Sequence, residues 1–285
     1  MNPERLEKRL TLLACPLCGS AFSLQGGSLI CEKRHCFDIS KKGVVHLAPG
    51  HLSPLKQYTA PLFESRRRIL EAEFYQPVWE GIRKMVESHS PGKSFSLADI
   101  GCGEGFYSRA LAAAFPESLI TGIDLSREAI EFASRGERAV QYFIADLKRL
   151  PFQSGSMDFL LDVLTPADYG EFARVLKPTG FLIKVIPGDH YLQEIRTLAA
   201  GYLKNADTYS NRETREHLLR HGDVIQRVDI CQCYPLSTAQ REDFLRMTPM
   251  TMNLPGELPG ADSLDEITIH MEIYLCRLPS PALSK

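Results

Sequence analysis

Four thiols and one imidazole fall within 22 residues, in CPLCGSAFSLQGGSLICEKRHC, which runs from Cys15 to Cys36. The spacing is Cys15-x2-Cys18-x12-Cys31-x3-His35, with Cys36 directly after. Two residues between cysteines let the backbone curl until both sulfurs face one point, and a second pair a dozen residues on can close a tetrahedron. Thiolates and imidazole suit zinc. A closed shell of four ligands leaves no open position for catalysis, so such a metal is structural. On spacing alone, His35 and Cys36 compete for the fourth place.

A second constellation is LADIGCGEGFYSRAL. A strand ends near Asp99, a turn holds Gly101, Gly103, Glu104 and Gly105, and a helix follows. Glycines allow the tight turn and the close approach of a ligand to backbone. A dinucleotide fingerprint reads G-x-G-x-x-G. Here the third glycine comes one residue early, Phe106 takes its place, and Asp99 and Glu104 are unwelcoming to a pyrophosphate. The next expected strand ends in Asp124 (GIDLS), where an acid can take ribose hydroxyls. The one after ends in Asp146, beside Leu147 (IADLKRLPF). Acids at the carboxyl ends of three successive strands converge on one crevice and suit a cationic ligand with an amino-acid tail. DIGCGEG resembles motif I of the class I methyltransferases. That resemblance implies S-adenosylmethionine as cofactor and an adenine contact at Asp146.

Acceptor chemistry belongs at the end of the fourth strand, in LLDVLTPADYGEFARVLKPTG, where Asp162, Thr165 and Pro166 should face the crevice. Methyl transfer from a sulfonium is an in-line displacement, and an acceptor N–H must lose its proton around the moment of transfer, so a base helps. Asp162 is the candidate. No PC nucleophile motif and no N/D-PPY-type motif is present, which argues against pyrimidine C5 and exocyclic-amine chemistry.

The elements that must position these residues divide the chain into a turn-rich zinc-binding front (1–50), a helical segment (51–95) and a methyltransferase body (96–285). The expected strands are FSLADI, SLITGID, VQYFIAD, MDFLLDVL, GFLIKVI, VIQRVDICQC and EITIHMEIYLC, with LKPTG as the turn before the fifth. FYSRALAAAF and REAIEFASRG read as helices between the early strands. FESRRRILEAEFYQPVWEGIRKMVESH reads as two helices interrupted at Pro77, and Ser237 with Gln240 forms a capping box. The last two strands are long and alternating, as an antiparallel edge would be. The fold class is α/β, a Rossmann-like, mostly parallel sheet of seven strands preceded by a small zinc-ribbon-like domain.

At 44% hydrophobic residues the chain can build a core, and no apolar run approaches a membrane span. The N-terminus lacks the long apolar stretch of a signal peptide, so a cytoplasmic location is expected, where thiols stay reduced. Net charge is −2, but residues 1–70 carry 11 Lys+Arg against 5 Asp+Glu, and the remainder 22 against 30. An anionic polymer would therefore be gripped by the front, through Lys33, Arg34, Lys41, Lys42, Arg66, Arg67 and Arg68. On this reading, replacing Arg66–Arg68 weakens RNA binding and leaves cofactor affinity intact.

As a whole the sequence resembles the 23S ribosomal RNA guanine-N1 methyltransferases of the RlmA/RrmA family, most closely the Gram-positive type linked in some bacteria with tylosin-class macrolide resistance. The matching residues are CPLC, ICEKRHCFDISKKGVVHLAP, RRRILEAEFYQP, DIGCGEGFYSR, YGEFARVLKPTG and MTPM. The resemblance implies Cys15, Cys18, Cys31 and His35 as the zinc ligands. It implies one guanine in a hairpin loop of domain II of 23S rRNA as substrate, and a homodimer whose clefts accept folded RNA. Guanine N1 lies on the pairing edge, so the base must be in a loop or flipped out, and stacking on Tyr169, Phe172 or the Met247–Met250 segment could hold it. Two rivals share part of these features: a small-molecule methyltransferase, which needs no basic zinc module, and a non-catalytic zinc-ribbon protein that binds RNA or the ribosome.

Overall fold

Alternating and continuous apolar runs from about residue 96 onward form most of one large sheet, and the computed structural model describes residues 3–48, 50, 59–202, 210–252 and 258–279. A short helix α1 (Pro3–Glu7) precedes three antiparallel strands, β1 (Phe22–Gln25), β2 (Ser28–Cys31) and β3 (Cys36–Asp38), which make a separate small sheet. Strand β4 (Val45–His46) and helices α2 (Ala60–Glu71) and α3 (Gln76–His89) follow. Strand and helix then alternate through β5 (Ser96–Ile100), α4 (Phe106–Ala114), β6 (Leu119–Asp124), α5 (Arg127–Ala133) and β7 (Gln141–Ile144). Next come β8 (Met157–Val163), α6 (Tyr169–Val175), β9 (Leu176–Pro187), α7 (Gln193–Leu198) and α8 (Arg212–His221). The chain ends with β10 (Asp223–Pro235), α9 (Thr238–Met247), α10 (Pro249–Met252) and β11 (Glu266–Arg277).

The large sheet has the order β10-β11-β9-β8-β5-β6-β7-β4. Strands β4 to β9 pair in parallel, while β11 is antiparallel to both β9 and β10. All seven expected strands are present, and the last two form the antiparallel edge. The eighth, β4, comes from the zinc-binding front and pairs with β7. From β5 the chain winds one way to β6 and β7, then crosses to β8 and β9 on the other side. The carboxyl ends of β5 and β8 thus flank a topological switch point, where wound sheets bind ligands.

One face of the sheet is covered by α2 to α5. Ile69, Val78, Ile82, Leu111 and Ile130 pack there on Leu97, Phe159, Leu161 and Ile183. The segment 51–95 therefore buries its helices in the same core as the sheet. On the other face, the β7–β8 connection carries no helix. Leu13, Leu29, Val45 and Leu47 of the front occupy that place, packed with Ala98, Ile100, Phe143 and Phe152. Backbone joins the two: Leu13 bridges Phe152, the Ala14 amide donates to the Pro151 carbonyl at 3.0 Å, and the Gln153 amide to the Leu12 carbonyl at 2.8 Å.

Two local expectations change. Pro77 does not interrupt a helix; it sits in the first turn of α3, where its missing N–H needs no partner. The break comes just before, between α2 and α3, with Glu73 at φ +65°. LKPTG is not a turn ahead of a strand but an excursion within β9. Leu176 pairs with Met157 and Phe181 with Phe159, so four residues stand opposite Asp158, to which Lys177 is bonded at 2.8 Å. The Ser237–Gln240 capping box forms as read from the sequence.

Because Phe152 is enclosed by both front and sheet, Phe152→Ala should destabilise the chain by about 3–5 kcal/mol. Denaturant unfolding should show zinc release and loss of sheet signal in a single transition. Two separated transitions would mean that the front folds independently.

Candidate active site and metal centre

The metal centre is made of two turns. In the first, the Gly19 amide donates to the Cys15 carbonyl at 2.7 Å, with Gly19 at φ +76°. In the second, the Arg34 amide donates to the Cys31 carbonyl at 2.8 Å, with Arg34 at φ +62°. Both curl so that donor atoms meet. The sulfurs of Cys15 and Cys31 lie 3.5 and 3.4 Å from His35 Nδ1, and those of Cys18 and Cys31 lie 3.7 Å apart. All four donor atoms fall within 4.8 Å of one another. A zinc–sulfur bond of about 2.3 Å makes a tetrahedral edge of about 3.8 Å, so the set fits one tetrahedral zinc. Cys36 is in β3, exposed and outside the cluster, which decides the fourth ligand for His35.

The glycine turn follows β5. The amides of Gly101 and Cys102 both donate to the Ile123 carbonyl, at 2.7 and 2.9 Å, pinning the turn to β6. Gly101 (φ +71°) and Gly105 (φ +80°) are required here. A Cβ on Gly101 would lie 2.3 Å from Thr165 Oγ1, and one on Gly105 would lie 2.4 Å from the Tyr142 hydroxyl. Asp124, at the end of β6, accepts from the Gly103 amide at 2.9 Å and the Ser126 amide at 2.8 Å. Asp146, at the end of β7 beside half-buried Leu147, accepts from the Lys148 amide at 2.9 Å.

Asp99 and Glu104 are both buried. Burial pushes the Asp99 carboxyl up to about 7, helped by the charges of Glu104, Asp124 and Asp162 and opposed by a 2.5 Å bond from Ser108 Oγ. Burial also raises Glu104 and Asp124, and the positive charge of Arg66 opposes both shifts. Acids held at such strained protonation are relieved by an incoming cation. The donor set therefore fits a ligand carrying a sulfonium and an ammonium. Beside it, the Tyr75 and Tyr191 hydroxyls are 2.8 Å apart, and the buried Tyr107 hydroxyl has no hydrogen-bond partner among the described residues. Nothing in sequence spacing pointed to these tyrosines, which come from the N-cap of α3, from α4 and from the segment after β9.

On the acceptor side, Asp162 is 0% exposed and paired at 2.8 Å with Lys184, itself 2% exposed. Burial raises Asp162 to about 6, and Lys184 opposes the rise. Asp162 accepts from the Thr165 amide at 3.3 Å and Lys184 donates to the Thr165 carbonyl, so the pair holds the turn after β8. A carboxylate sealed in this way cannot reach an acceptor proton, and the reading of Asp162 as base gives way to one of positioning. Thr165 and Pro166 stay at the surface and border a cleft of about 420 Å³ shared with Lys184, His217 and Arg220. The proposed stacking rings are already committed. Phe172 lies in the core, Tyr169 is buried and stacked on His221 at 5.0 Å, and Met247 is buried. Met250 packs, partly buried, against the core.

Of the basic residues, Lys33, Arg34, Lys41 and Lys42 are all exposed; the first two lie in the second zinc turn, while Lys41 and Lys42 follow β3 at the other end of the hairpin, where the Ile39 amide donates to the Gly27 carbonyl. The arginine triplet is split. Arg67 pairs with Glu71 at 2.6 Å, Arg68 with Asp243 at 2.5 Å, and Arg66 turns toward the glycine loop. The triplet therefore does not form one phosphate-gripping row, because successive helix positions point about 100° apart.

A mostly parallel wound sheet, with a glycine turn at its switch point and buried acids around it, defines a class I S-adenosylmethionine-dependent methyltransferase. Residues 97–180 match a methyltransferase domain family, and residues 13–52 match the zinc ribbon of the RlmA N-terminal family. A Bacillus subtilis (strain 168) protein, YxjB, assigned as a 23S rRNA guanine-N1-methyltransferase, is 34% identical over 278 residues, covering 93% of this chain and 96% of its own. The Streptomyces fradiae 23S rRNA (guanine(748)-N(1))-methyltransferase is 25% identical over 275 residues, again covering 93% and 96%. A chain of the solved complex between the Haloferax volcanii Trm112 methyltransferase activator and a methyltransferase shares the fold, with a TM-score of 0.50 and 16% identity over 80% of this chain and 100% of that one. The chain belongs to the 23S rRNA guanine-N1-methyltransferase family, and its cofactors are S-adenosylmethionine and one structural zinc.

Two outcomes follow from this geometry. Metal analysis should find one zinc per chain in the native protein and in Cys36→Ser, and a loss in His35→Ala. The second concerns Asp99. Between its ordinary value of 3.8 and about 7, the native chain holds a proton there that the unfolded chain has released. The stability this group contributes is thus complete below 3.8 and is lost as pH rises through about 7. A bound cation favours the ionised carboxyl, so donor affinity should rise over the same window with release of a proton. Calorimetry in buffers of different ionisation enthalpy measures that proton, and Asp99→Asn should abolish it.

Proposed function

We propose that the chain transfers a methyl group from S-adenosylmethionine to N1 of one guanine in a hairpin loop of domain II of 23S rRNA. The observation that carries this reading is the continuous similarity to YxjB over 93% of the chain, which spans both the metal centre and the donor crevice. The donor supplies an electrophilic methyl on a positively charged sulfur. Asp99, Glu104 and Asp124 bind and orient its cationic and ribose groups. The turn Thr165–Ala167, held by Asp162 and Lys184, sets where the acceptor base approaches the end of β8. Alignment of nucleophile, methyl and sulfur then provides most of the acceleration. The N1 proton leaves to solvent around the transfer.

The acceptor base is presented unpaired, because a paired guanine hides N1. The exposed Lys33, Arg34, Lys41 and Lys42 of the front contact RNA phosphates, while the acidic body repels stray polyanion. In this reading the working unit is a homodimer with RNA in clefts faced by the zinc modules, acting where ribosomes are assembled in the cytoplasm. Both points rest on family resemblance. Among the described residues no helix is long and apolar enough to cross a membrane.

Incubation with unmethylated 23S rRNA and donor, then nuclease digestion and mass spectrometry, should yield 1-methylguanosine at a single position. Replacing the four zinc-module cations with Ala should reduce the slope of log affinity against log salt by about 0.7–0.9 per lost contact. A methyl group on another atom, or transfer only to a small molecule, would overturn the assignment.

A further inference from the structure

Two of the three consecutive arginines on α2 are spent on protein carboxylates, Arg67 on Glu71 and Arg68 on Asp243. Among the described residues no side-chain hydrogen bond or ion pair engages Arg66. It is half-buried, and its Nη1 lies 3.5 Å from the point that a Cβ on Gly103 would occupy. Away from the chain neighbours of Gly103, no other heavy atom lies within 4 Å of that point. The space over the middle glycine is therefore open except for one guanidinium. The neighbouring cation, Arg109, is turned elsewhere: its Nη1 donates to the Glu104 carbonyl at 2.5 Å and lies beside Gly105.

The methyl donor carries two positive groups and one negative group. The acids of the crevice suit the sulfonium and the ammonium. They repel the carboxylate, which needs a cation of its own close to the same loop. A guanidinium offers two parallel N–H bonds that match a carboxylate's two oxygens. We propose that Arg66 is the anchor for the carboxylate of the donor's amino-acid tail, seated over Gly103. The assignment rests on the methyl-donor reading above. It moves Arg66 from the RNA-binding set to the cofactor site, and it makes α2 a wall of that site. The charge of Arg66 also opposes the burial of Glu104 and Asp124, so it offsets repulsion in the crevice before the donor arrives.

The test is calorimetric titration of the full chain with three ligands. S-adenosylhomocysteine keeps the whole tail, its decarboxylated analogue keeps only the amine, and 5′-methylthioadenosine has neither group. Arg66→Ala should weaken S-adenosylhomocysteine by about 10- to 100-fold and change the other two by no more than about 2-fold. Arg66→Lys should recover part of the loss, and thermal melting of both variants checks that they are folded. An equal loss for all three ligands would show a merely structural role and overturn the anchor. So would unchanged S-adenosylhomocysteine binding alongside a reduced salt slope for RNA, which would return Arg66 to the phosphate contacts. A native chain that binds none of the three would instead overturn the methyl-donor reading, and this assignment with it.

Discussion

Four carboxylates, Asp99, Glu104, Asp124 and Asp162, crowd the carboxyl ends of three neighbouring strands, and the fold must hold them there against burial and one another. Each is restrained differently. Asp99 accepts a serine hydroxyl, Asp124 two backbone amides, and Asp162 a buried lysine, while Glu104 is opposed by nearby Arg66. Concentrated negative charge at low dielectric is costly without a counter-cation. The crevice is therefore built short of positive charge, and a cationic donor supplies what is missing. The wound topology is what makes this possible, because only at the switch point do the chain's connections leave in opposite directions and open a space.

The zinc module is part of this architecture as well as an attachment to it. A wound sheet needs cover on both faces, and the β7–β8 connection brings no helix. Leu13, Leu29, Val45 and Leu47 take that place, with β4 extending the sheet by one short strand. Four zinc ligands stiffen a segment too small to build a core alone. Its exposed lysines and arginine are consequently fixed relative to the donor crevice, since β4 pairs with β7, whose other neighbour, β6, ends in Asp124. The front is thus joined to the donor crevice through sheet pairing and not through a flexible tether.

Much of this was legible from the residues. Strand-length apolar runs marked all seven body strands, and Ser237 with Gln240 marked a helix start. Cys15-x2-Cys18 marked a metal turn, and the glycines after β5 marked the turn at the switch point. Each of these signals is local, or repeats at the period of its own element. The misreadings share one cause. Asp162 looked like a base because it precedes the right turn, but Lys184 on the next strand seals it. Phe172 and Tyr169 looked available because they follow the acceptor strand, but one lies in the core and the other is stacked on His221. Arg66 to Arg68 looked like one basic row until helix geometry sent them to three different partners or spaces.

The sequence by itself determined the class of fold, the metal and the nature of the donor, because ligand spacing, glycine placement and strand-end acids are properties of short contiguous stretches. Only tertiary structure decided that His35 and not Cys36 completes the metal site, that the front replaces a missing helix, and that Arg66 faces the glycine turn. Those outcomes depend on which side of an element a residue occupies and on what lies across from it, and distances between remote segments are set only when the layers pack.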